Sequence, residues 1–171
     1  MRNGILIILL LLSNYGFCCT CGPQRSVKNA YDKSTKVVIG KIVDHQQIIT
    51  IDSTEYKKLI EKGVHETQAI RFTSEGFNQY TLVLSESSFK GEFQSDTLLI
   101  RTGLTYGACG YSFQIGKKYV VYGYDSTKEQ QASIPKFDIF WTDNCTRTNL
   151  YSEKERRRLV KIAKRNKNKS H

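Results

Sequence analysis

Five cysteines, at positions 18, 19, 21, 109 and 145, constrain this 171-residue chain more than any other feature. Three crowd one N-terminal stretch and two stand far downstream. An apolar run, ILIILLLL over residues 5–12, precedes them, with a single positive charge before it at Arg2. A short positive start and an apolar core of about 8 residues read as a signal peptide, because a membrane span needs ~20. Signal cleavage uses small residues at the last position and two before it. A cut after Cys18 supplies Cys18 and Gly16, whereas a cut one residue earlier supplies bulky Phe17 and Tyr15. Residues 1–18 are therefore read as the signal. Neither Tyr15-Gly16-Phe17 nor Gly16-Phe17-Cys18 resembles the usual lipoprotein pattern. A secreted or extracytoplasmic location without a lipid anchor is expected.

The exported chain then keeps Cys19, Cys21, Cys109 and Cys145, an even number that predicts two disulfides. Joining Cys19 to Cys21 would close a very small, strained ring. Each N-terminal cysteine thus reaches a distant partner, and which reaches which stays open. Either pairing closes loops of roughly 90 to 125 residues, worth on the order of 4–5 kcal/mol each in the chain-entropy view. A metal site is not expected: Cys-x-Cys lacks a second compact pair, and His45, His65 and His171 are scattered. No cofactor is predicted. Nucleophile elbow, zinc-protease helix and phosphate loop are all absent from the sequence. With the thiols consumed in bridges, an enzyme is not expected and a binding function is.

The formal charge of +10 is unevenly spread. Residues 151–171 hold nine basic and two acidic side chains, which leaves residues 19–150 at +2. That region is nearly neutral, so nucleic acid is not the expected partner. Arg156, Arg157, Arg158, Lys161, Lys164, Arg165, Lys167 and Lys169 could meet a polyanion instead. Asn144 and Asn168 head glycosylation sequons that matter only in a eukaryotic host.

Along the chain, residues 24–33 predict a short helix capped by Ser26, with Val27, Ala30 and Tyr31 on one face. Residues 35–44 predict a strand with a kink or bulge at Gly40, and 47–51 its continuation or a partner. Residues 55–62 predict a short helix. Strands are expected at 67–73, 78–87, 97–102, 118–125 and 136–142. Ser152 and Glu155 form a capping box for a last helix, with Leu159, Val160, Ile162 and Ala163 as its apolar face and fraying from Lys164. At this length, five or six short antiparallel strands closing into a small barrel are the natural architecture, flanked by a short N-terminal helix and a C-terminal helix.

A chain that begins at Cys19 exposes an α-amine held by that residue's own bridge. Its pKa near ~8 leaves a useful neutral fraction at neutral pH. The amine nitrogen and carbonyl oxygen of one residue form a five-membered chelate. That pair can fill the open position of a catalytic zinc, and rigidity lowers the entropy lost on docking.

Five runs carry a resemblance: Cys19-Thr20-Cys21 at the cleavage point, Phe89-Lys90-Gly91, Cys109-Gly110-Tyr111-Ser112-Phe113, Gly116-Lys117-Lys118-Tyr119-Val120-Val121-Tyr122, and Cys145-Thr146-Arg147-Thr148. Together they resemble the tissue inhibitors of metalloproteinases and the wider netrin-like domain, over residues 19–163, with residues 164–171 as a basic tail. The resemblance implies a mainly β, OB-fold-like barrel and bridges Cys19–Cys109 and Cys21–Cys145. It implies that Cys19 chelates the zinc of a target metalloendopeptidase and that Thr20 enters its specificity pocket. Cys21, Gly22 and Pro23 would complete the inhibitory ridge, with Tyr106, Gly107, Ala108 and Cys109 beside them. The third bridge and the separate C-terminal subdomain of the vertebrate inhibitors are missing, as in the single-domain microbial type. The alternative the resemblance leaves is a netrin-like module that binds protein or polyanion without inhibiting.

Overall fold

In the computed structural model of the chain, residues 21–104, 109–126 and 137–168 are described. They run α1 (Val27–Lys33), β1 (Lys36–Ile51), α2 (Ser53–Glu61), α3 (Glu66–Thr73), β2 (Ser74–Leu84), β3 (Thr97–Gly103), β4 (Lys118–Asp125), β5 (Asp138–Trp141), β6 (Asn149–Leu150) and α4 (Glu153–Lys167). The protein is mainly β, with a short helix near its N-terminal end and a longer one near its C-terminal end. The six strands form one sheet in the order β1-β2-β3-β5-β4-β6. An additional pairing of β1 with β4 closes five of them into a ring. The sheet is mixed, since β3 and β5 run parallel while the other pairs are antiparallel. The purely antiparallel expectation is corrected on that point.

β1 makes closure possible. Its first part, Lys36 to Lys41, pairs with β4, and from Gly40 onward it pairs with β2. Gly40 sits where both neighbours meet it. A Cβ there would lie 2.3 Å from a Leu82 methyl and 2.6 Å from the Val83 carbonyl oxygen. The register slips between Ile42 and Asp44. The bulge thus falls at Val43, three residues beyond the glycine that the sequence suggested. The ranges 35–44 and 47–51 become one strand of 16 residues.

Two apolar clusters explain the strand sequences. Inside the ring lie Val38, Ile42, Leu82, Leu98, Ile100, Val121 and Phe140, with Tyr80, Phe113 and Tyr119. Outside it, under α1 and α4, lie Val37, Ile39, Val120 and Tyr122, with Val27, Ala30, Tyr31 and Leu159. Alternate residues of β1 and β4 serve opposite clusters, so both strands read as unbroken apolar runs.

Two further expectations are corrected. Residues 67–73 belong to a helix, α3, and not to a strand. His65 caps its N-terminus and Thr73 returns its hydroxyl to the Ala69 carbonyl (2.8 Å), while the strand begins only at Ser74. α4 does not fray at Lys164 but continues to Lys167, where basic side chains complement the negative end of the helix dipole. Among the described residues no helix is long and apolar enough to cross a membrane.

Candidate functional site

Cys21 and Cys145 are joined by a disulfide with Cα atoms 5.0 Å apart, closing a separation of 124 residues. Gly22 and Pro23 follow, both exposed. Four residues beyond Cys21 the chain is fastened again. The Arg147 guanidinium donates through Nη1 to the Arg25 carbonyl at 2.7 Å. Ser26 then caps α1 by accepting from the Asn29 amide. The segment from Cys21 to Arg25 is thus held at both ends.

The anchoring side is itself rigid. Arg147 grips Glu155 with two bonds, Nε to Oε1 at 2.9 Å and Nη2 to Oε2 at 3.1 Å. Tyr122 adds its hydroxyl to Oε1 at 2.7 Å, and Asn149 donates to Oε2. Glu155 is 6% exposed and its charge is met by the paired guanidinium. Burial first, and the Glu155 carboxylate second, raise the Tyr122 phenol well above its ordinary value. Around Cys145, one Asp143 oxygen accepts from the amides of Cys145 and Thr146, each at 2.8 Å. Thr142 donates to the Tyr122 carbonyl and lies 2.8 Å from the Thr148 hydroxyl.

Cys109 comes to the same end of the ring. Its carbonyl accepts the amide of Asn144 at 2.9 Å, and it is disulfide-bonded. Its φ of 52° is the left-handed region, a conformation that non-glycine residues hold at a cost of about 1–3 kcal/mol. Gly110 beside it admits no side chain, because a Cβ would lie 1.8 Å from the Gly103 carbonyl oxygen. The Tyr111 amide then bonds the Thr102 hydroxyl at 2.6 Å. Burial pushes the half-buried Tyr111 phenol up to about 12.

Of the residues expected in the ridge, Cys21, Gly22, Pro23 and Cys109 fall within the described chain, and Cys21 and Cys109 meet through the 143–145 turn. Cys19, Thr20, Tyr106, Gly107 and Ala108 lie outside the described residues, as does one half of the expected Cys19–Cys109 pair. Among the described residues no three His, Cys, Asp or Glu side chains gather into a metal-holding set.

The support of the site is not foreseen from the sequence. The sequence places Glu155 in a capping box. Its amide does bond Ser152, but its carboxylate turns to Tyr122, Arg147 and Asn149. The run Cys145-Thr146-Arg147-Thr148 by itself gives Arg147 no role. The signal the sequence offers is an acidic side chain in the first turn of a helix, three residues past its cap, with an arginine two residues after Cys145. A scan against protein-family models and a search of curated proteins find no match for this chain.

Proposed function

We propose that the protein is a secreted inhibitor of zinc metalloendopeptidases that acts through Cys19 once residues 1–18 are removed. In this reading the Cys19 amine and carbonyl take the open position on the protease's zinc, Thr20 enters the adjoining pocket, and residues 21–23 with the 106–109 loop flank them. One observation carries it: Cys21 is locked to Cys145 and the carbonyl four residues later is gripped by Arg147. Residues at a chain end are ordinarily mobile. Fixing the segment next to a chelating terminus removes ordering cost on binding. The OB-like identity of the barrel belongs to this proposal too. Its support is the ring order, with β1 between β2 and β4 and β3 parallel to β5.

The test is a chain whose first residue is Cys19 against one carrying a single extra Ala before it, assayed on a panel of zinc endopeptidases. Inhibition by the first and its loss in the second is the expected result. Equal inhibition by both, or none by the correctly processed chain, overturns the reading. Mass spectrometry of the exported protein fixes where it begins.

A second reading rests on α4. The helix carries Arg157, Arg158, Lys161, Lys164 and Arg165 as exposed side chains of one continuous element. We infer a polyanion contact on this face, additional to or in place of inhibition. Glutamine at these five positions should abolish retention on heparin–agarose if the contact exists. Unchanged retention removes it.

A further inference from the structure

Arg101 lies on the outer side of β3 and is only 5% exposed. Its Nε donates to Gln79 Oε1 at 3.0 Å, and its guanidinium carbon sits 4.6 Å from the Phe77 ring centroid. Phe77 in turn meets Trp141 edge-on at 5.5 Å. None of the ion pairs formed by the described residues includes Arg101. Its two terminal nitrogens, with four N–H donors, bond no acceptor among the described residues. Yet no described side-chain nitrogen is both fully buried and unbonded, so these atoms retain contact with the surface. Withdrawing a cation from water without a counter-charge is costly, and a guanidinium fork is shaped for an oxyanion.

The surroundings extend the pattern. Strand register sets Gln46, Gln79, Arg101, Trp141 and Tyr124 in one row across β1, β2, β3, β5 and β4. At the Gln46–Gln79 end of that row a groove with a mostly apolar surface is lined by these two glutamines, Thr81, Thr97, Leu99 and Phe137. Gln79, which holds the cation, is shared with that groove and so links the Arg101 guanidinium to a surface suited to a flat apolar group.

We propose that this outer face of β2, β3 and β5 is a binding site for an organic oxyanion, a carboxylate or phosphate carried on a flat apolar body. The oxyanion pairs with the free side of the Arg101 guanidinium and the body lies along the groove. The site is remote in sequence from the N-terminal ridge and does not depend on how that ridge acts.

Calorimetric titration of the whole processed protein with phenyl phosphate, benzoate and inorganic phosphate tests it. At least one aromatic anion should bind saturably at millimolar concentration, about tenfold more tightly than inorganic phosphate. The stronger of the two aromatic ligands identifies the headgroup. Arg101→Met should lose about tenfold or more, and Arg101→Lys should fall between, keeping the charge but not the fork. In the unsubstituted protein, the Arg101 Nε–H resonance should shift with the same midpoint as the heat. That measurement stands even if Arg101→Met does not fold. Absence of saturable binding by both aromatic anions, or binding that leaves the Arg101 resonance unmoved, overturns the proposal.

Discussion

Glu155 gathers Tyr122, Arg147 and Asn149 on two oxygens, so its neighbours should report on it individually. Tyr122→Phe removes a charge-assisted bond and should cost about 1.5–3 kcal/mol, measured by chemical denaturation at neutral pH. It should also change the alkaline limb. The Tyr122 phenol is raised above its ordinary 10.0, so the native state holds its proton where the unfolded chain releases it. Stability is then fully present below about pH 10 and falls as pH rises beyond it. The substituted protein should fall less steeply over that window, and a parallel decline in both would contradict the assignment. Arg147→Ala leaves the Glu155 carboxylate buried and unpaired, which should cost about 3–5 kcal/mol. If the N-terminal reading holds, Arg147→Ala also weakens protease inhibition while the Cys21–Cys145 bridge remains intact by mass spectrometry.

Elements were legible where burial on two faces left a plain signature. β4 was predicted at its observed bounds, and the core of β1 was found, because alternate side chains in each feed the two apolar clusters. Residues 67–73 misled because Thr, Ile and Phe suit a strand, while the deciding feature was the His65 cap. β6 has two residues and no pattern of its own, since it exists by pairing Tyr119 with Leu150. The bulge at Val43 has no glycine to mark it. Gly110 offers a test at this level. Gly110→Ala forces a methyl against the Gly103 backbone and should destabilise by several kcal/mol, beyond the ~1–3 typical of overpacking. Replacing both Cys21 and Cys145 by Ser should cost about 2–5 kcal/mol, read as a lowered melting midpoint.

For the molecule as a whole, five of the six strands among the described residues and the flanking helices are readable from local sequence, but the ring is not. The parallel pairing of β3 with β5 and the double pairing of β1 depend on which edges meet, information that no local run contains. The two clusters should differ in their reach. Phe140→Ala, inside the ring, should cost about 3–5 kcal/mol and reduce amide protection in every strand. Leu159→Ala, outside it, should cost about 2–4 kcal/mol and release α1 and α4 first, as seen by native-state hydrogen exchange. The long-range fastenings also impose an order in time. Cys21 and Arg25 find their partners 124 and 122 residues downstream. A chain made from its N-terminus therefore cannot give Cys21 its native partner until residue 145 has been made. Any fragment that stops short of it carries a loose, oxidisable end. The N-terminal segment is therefore fastened only after most of the chain has been made, and the pairing of Cys21 is its timestamp.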